Sequence, residues 1–78
     1  MHLLCTFTAA PGFRAAFDAA AEERGQHGLS LLQMWHDADD ATRVLTLFEV
    51  NDRARADTWV ATARAIHGLT AAQFLRTA

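Results

Sequence analysis

The sequence carries a single cysteine, Cys5, so no disulfide can form within the chain. No Cys/His group stands at zinc-site spacing, and Asp37, Asp39 and Asp40 lack the spacing of a calcium loop. There is no cluster of basic residues, and the formal charge is −2, which argues against nucleic acid as a partner. No apolar run approaches the ~20 residues that a membrane helix needs. The N-terminus shows no charged region followed by an apolar stretch and a cleavage site. A secreted chain of this size would more often carry paired cysteines. These absences together predict a soluble cytoplasmic protein that needs no metal or cofactor. Seventy-eight residues make one domain, 1–78, with a modest core. Small domains usually add a staple, and with disulfide and zinc excluded the remaining one is self-association.

What is present is apolar: 51% of the residues, including two Trp and five Phe. The centre of the chain is the stretch Leu29 to Asp52, where L-S-L-L-Q-M-W-H and R-V-L-T-L-F-E-V-N-D flank the acidic turn D-A-D-D-A-T. Two such runs around a short polar segment predict a β-hairpin. His2 to Thr8 alternates, with Leu3, Cys5 and Phe7 on one side and Leu4, Thr6 and Thr8 on the other, and predicts a strand. Pro11 suits the first turn of a helix. From there Phe13, Ala16, Phe17, Ala20 and Arg24 recur at three and four, the stripe of one amphipathic helix that Gly25 and Gly28 would end. After the hairpin, Asn51 or Asp52 can cap a second helix whose inward stripe is Ala56, Trp59, Val60, Ala63, Ile66 and His67. Gly68 closes it, and Ala71 to Thr77 is the last strand expected.

The two halves resemble each other. His27-Gly28-Leu29-Ser30 recurs as His67-Gly68-Leu69-Thr70, and Gln33-Met34 recurs as Gln73-Phe74. Two such units make a split β-α-β arrangement, an α+β ferredoxin-like βαββαβ fold. Right-handed crossovers then give an antiparallel sheet of order 4-1-3-2 with two helices on one face. Leu32, Met34, Trp35, Leu45, Leu47, Phe48 and Val50 carry more apolar surface than one covered face can bury. The open face is therefore expected to meet a second copy.

The strand and turn R-V-L-T-L-F-E-V-N-D, the helix opening R-A-R-A-D-T-W and Gly28-Leu29 resemble the dimeric α+β barrel superfamily, which includes the antibiotic-biosynthesis-monooxygenase-like domains. The resemblance spans almost the whole chain. It implies a homodimer paired through the open sheet face, and it is specific for fold far more than for activity. Other users of the topology fit poorly. An RNA-recognition domain wants a basic, Gly-rich third strand, a metal chaperone wants C-x-x-C, and an acylphosphatase wants a phosphate loop after the first strand.

Candidate chemistry is sparse. Glu49 lies within an apolar strand, where burial would make it an acid or base; as structure it is a carboxylate bonded to backbone N–H groups or a partner's Arg. His36 ends the second strand, either as a base at a pocket mouth or a haem or metal ligand, or as a polar residue entering a turn. The hairpin puts residue 36 near 43 or 44 and residue 49 near 30, so these two form no dyad, whereas His2 can approach Glu49. Trp35, Trp59, Phe17 and His2 are candidate ligand contacts, against the plainer reading of Trp59 and Phe17 as core. Cys5 reads as a small core hydrophobe. His27 and His67 read as side-chain donors to terminal helix carbonyls. The sequence thus predicts a homodimeric small-ligand-binding or accessory module with a small apolar cavity between sheet and helices. The alternative is a cofactor-independent monooxygenase or isomerase/cyclase acting on a hydrophobic or aromatic molecule.

Overall fold

A computed structural model describes residues 1–78. The elements run β1 (His2–Thr8), α1 (Phe13–Ala19), α2 (Ala21–Gln26), β2 (Leu29–His36), β3 (Arg43–Val50), α3 (Arg53–Ile66) and β4 (Leu69–Leu75). The four strands form one antiparallel sheet in the order β2-β3-β1-β4. This is the ferredoxin-like α+β arrangement, read from the other edge as 4-1-3-2.

Register sorts the strand residues into two faces. One face carries the rows His36–Val44–Phe7–Leu69, Met34–Thr46–Cys5–Ala72 and Leu31–Phe48–Leu3–Phe74. Leu3, Cys5, Phe7, Val44 and Phe48 from these rows join Phe17, Ala56, Trp59 and Ala63 of the helices in one buried cluster, so all three helices lie on this side. The opposite face carries Trp35–Leu45–Thr6–Ala71, Gln33–Leu47–Leu4–Gln73 and Ser30–Glu49–His2–Leu75. Nothing in the chain covers it. Its apolar centre is Trp35, Leu45, Leu47 and Leu4, and Trp35 is 45% exposed. Only 14 of 78 residues are buried, a small core for a domain that must stand alone.

The two helix exits match closely. His27 and His67 end α2 and α3, and the glycines that follow take the left-handed conformation, Gly28 at φ 74° and Gly68 at φ 73°. Each is followed at once by a buried leucine, Leu29 or Leu69, which begins a strand. β4 therefore starts at Leu69, two residues before the expected Ala71, because Leu69 already pairs with Phe7. A bulge at Thr70 follows, and the Thr70 hydroxyl donates to Thr6 O at 3.1 Å. Asp52 caps α3 by accepting from the Arg55 N–H at 3.1 Å. Arg53 and Arg55 lie within ion-pair reach of Asp57 and Asp52 at 3.7 and 3.6 Å. These pairs are exposed and add little.

The first helix departs from expectation. The sequence predicts one helix, whereas the structure breaks it at Ala20 (φ −90°, ψ 7°) into α1 and α2. Neither Pro nor Gly sits there. The Ala20 N–H is shared between Ala16 O and Phe17 O, both at 3.2 Å, and Arg24 Nη1 inserts onto Phe17 O at 2.6 Å. A side chain entering the main-chain ladder is a known cause of a helix bend. Gly25, expected to help end this helix, instead lies inside α2. A Cβ there meets nothing within 4 Å and the backbone needs no positive φ. Gly25→Ala is thus expected to stabilise the protein by about 0.5–1 kcal/mol, visible as a higher urea midpoint at unchanged slope.

Candidate functional site

The bend at Ala20, the end of β1 and the end of α3 border one half-open cavity of about 250 Å³. Aromatic faces dominate its wall: Phe7 from β1, Phe13 and Phe17 from α1, and Trp59 from α3. These rings hold one another in place. Phe7 meets Phe13, Phe17 and Trp59 at centroid distances of 5.4, 6.0 and 6.4 Å, and Phe13 stacks on Phe17 at 5.7 Å. Phe48 braces Trp59 from the sheet at 5.6 Å. Such offset and edge-on pairs fix ring positions beyond what burial alone does. Ala16 and Ala20 leave room where a larger side chain on the same helix face would close the space. Gly12, at φ 83°, turns the chain from β1 into α1 along the rim.

Three polar side chains accompany this wall: Thr8, Arg24 and His67. Arg24 is the unusual one. It is 4% exposed, lies 3.7 Å above the Phe17 ring centroid, and makes one hydrogen bond, to Phe17 O. No carboxylate oxygen lies within ion-pair distance of it. Burial pushes its pKa down, opposed by the nearby charges of Asp18 and Glu23, and a guanidinium stays protonated in proteins regardless. Asp18 itself is engaged by Arg14 at 3.1 Å. Ile66, predicted to point inward, is instead 69% exposed, the last residue of α3 and part of the cavity border.

The residues singled out from sequence are divided between two places. Phe17 and Trp59 line the cavity. Trp35, His2 and Glu49 lie on the uncovered sheet face, where His2 and Glu49 are register partners at one end of the β1–β3 ladder. Glu49 is exposed in the single chain. His36 sits at the other end of β3, opposite Val44 on edge strand β2, and is exposed as well. Neither His36 nor Glu49 borders the cavity. His27 Nδ1 lies 2.9 Å from Glu23 O, as its place at a helix end suggests. His67 differs: its backbone N–H donates to Ala63 O at 2.9 Å, but its side chain makes no hydrogen bond and the residue borders the cavity instead.

Asp37, Asp40 and Cys5 have structural surroundings. Asp37 accepts from the Asp39 N–H at 2.8 Å, and Asp40 accepts from the Thr42 N–H and hydroxyl at 3.0 and 2.7 Å. The Thr42 bonds hold the Asp40 carboxyl below its usual range, so these aspartates build the hairpin turn. Cys5 is fully buried, and burial pushes its thiol from 9.0 up to about 12, against small lowering effects of Thr46 and Arg64. Between those values the unfolded chain gives up the thiol proton while the folded chain keeps it. Stability is therefore lost as pH rises above 9.0, by at most about 1.4 kcal/mol per pH unit. Urea midpoints of the wild type are expected to fall faster above pH 9.0 than those of Cys5→Ala, and parallel curves would contradict the assignment.

The sequence leads to a small apolar cavity between sheet and helices but does not single out Arg24 as part of its wall. One signal was available: a charged residue on the apolar stripe of a helix. No protein-family model matches the chain, and no curated protein matches it.

Proposed function

We propose that the protein is a homodimeric small-molecule-binding module of the dimeric α+β barrel type, holding an apolar ligand beneath its helices and pairing through its open sheet face. The observation that carries the ligand reading is the aromatic cavity bordered by Phe7, Phe13, Phe17 and Trp59. A module that only assembles would fill such space with side chains, because interiors close-pack and a void forfeits contacts. Concave apolar space with a few convergent polar groups is the usual form of a small-ligand site. The pairing reading is supported by the face itself, an apolar centre of Trp35, Leu45, Leu47 and Leu4 within a polar rim of His2, Glu49, Ser30, Gln33 and Gln73. That is how protein interfaces are built.

Binding without chemistry suits the geometry better than catalysis, since Glu49 and His36 lie away from the cavity. An isomerase or cyclase here would rest on His67, whose side chain is unengaged at the wall, as the group that moves a proton. Native mass spectrometry of protein taken directly from its expression host tests the whole reading. A dimer retaining a small additional mass is the expected result. A monomer would overturn the pairing. An empty dimer that also fails to take up indole or p-cresol on titration would overturn the ligand site.

A further inference from the structure

We infer that the cavity is shaped for an apolar molecule bearing a carboxylate, with Arg24 as the partner of its negative charge. This inference rests on the cavity being a ligand site and adds the chemical class of the ligand.

A guanidinium this deeply buried normally has a carboxylate beside it, because an unpaired buried charge is costly. Arg24 has none within ion-pair distance. Its one hydrogen bond occupies Nη1 and leaves Nε and Nη2 without protein partners. Neither of those nitrogens is sealed off, since the only fully buried polar side-chain atom lacking a partner is Thr46 Oγ1. Arg24 borders the cavity, the space assigned to its free donors. The Phe17 ring, 3.7 Å from the guanidinium carbon, and the bond to Phe17 O hold the guanidinium against α1. A fork held in this way is ready for a planar carboxylate, which can take two parallel N–H bonds. In an apolar wall such a charge-assisted pair gains more than it would in water.

Size narrows the class. The cavity of about 250 Å³ exceeds the ~150 Å³ that holds benzene and falls below the ~300 Å³ where drug-sized pockets begin. One ring with a short acidic arm fits these bounds. Phe7, Phe13 and Trp59 would face the ring while the acid reaches Arg24.

Calorimetric titration with phenylacetate and its neutral analogue phenylacetamide tests this directly, because the two share shape and differ in charge. The acid is expected to bind about tenfold more tightly, or better, to the wild type. Arg24→Met is expected to bring the two affinities to within about twofold of each other, while Arg24→Lys keeps part of the preference, since a point charge lacks the fork. A role limited to bracing α1 against α2 would give no acid preference in the wild type. Equal affinities there, or an acid preference that survives Arg24→Met, would overturn the inference and leave the ligand site standing. Failure of both probes to bind would overturn the inference, and failure of indole and p-cresol as well would overturn the ligand site. If Arg24→Met does not fold, the wild-type ratio decides by the same criterion.

Discussion

Leu47→Lys is expected to leave a folded monomer. Leu47 lies between Gln33 and Leu4 in the middle row of the uncovered face, and in the single chain it is half-buried among its strand neighbours. A lysine there can carry its ammonium into water along the apolar face, so the isolated subunit loses little. A two-fold dimer meets each substitution twice, because the same patch serves both subunits. Burying two unpaired ammonium groups at its centre costs several kcal/mol each. The expected weakening of self-association is therefore at least about a thousandfold. Sedimentation velocity across a micromolar concentration series would show it, with circular dichroism confirming the retained fold. A Leu47→Lys dimer as tight as the wild type would mean that the copies meet elsewhere.

Gly68→Ala is expected to be the most damaging of the glycine replacements. Gly68 sits at φ 73°, a region that costs an L residue about 1–2 kcal/mol. A Cβ there would also stand 2.8 Å from Thr8 O, a main-chain atom that cannot swing aside. The same two residues are tied by the Thr8 N–H donating to Gly68 O at 2.9 Å, so yielding the space loosens the β1–β4 ladder at the cavity rim. Together the two effects predict a loss of about 2–4 kcal/mol. In a domain of this size that lowers the melting temperature by roughly 10–25 °C. Gly12→Ala serves as the control, since its φ of 83° is as unfavourable but its Cβ meets nothing within 4 Å. It should cost only the backbone share, about 1–2 kcal/mol. Thermal melts at one fixed protein concentration compare them, and equal losses at the two positions would rule out the contact with Thr8.

Strand alternation and turn chemistry were strong enough to be legible before any coordinates. β1 at His2–Thr8, the β2–β3 hairpin, and the placing of residue 36 near 43 or 44 and of residue 49 near 30 follow from local pattern alone. So do the matched His-Gly-Leu helix exits, because a left-handed residue after a helix is almost always glycine. Three features were not legible, each for a physical reason. The break at Ala20 comes from Arg24 reaching back to Phe17 O, a side-chain insertion that periodicity cannot register. The division of the hairpin's apolar residues between faces depends on a bulge at Leu32, which shifts the alternation by one. Met34, Phe48 and Val50 thus turn toward the helices, while Trp35, Leu45 and Leu47 turn away. The wall of the cavity, though not its place between sheet and helices, depends on how closely three helices settle on the sheet. Arg24 stands on the helix stripe in the sequence, but periodicity does not show that it reaches back to Phe17 at the cavity wall.

The account assigns different work to the two faces of one sheet, and the two tryptophans happen to mark them. Trp59 borders the cavity and Trp35 lies on the uncovered face. Fluorine NMR of 5-fluorotryptophan-labelled protein therefore gives one resonance for each surface, assigned by Trp35→Phe. Dilution through the dimer–monomer range is expected to move the Trp35 signal and leave Trp59 in place. Saturation with phenylacetate is expected to move Trp59 and leave Trp35 in place. A Trp59 signal that ignores the ligand while Trp35 follows it would place binding on the open face and contradict the account.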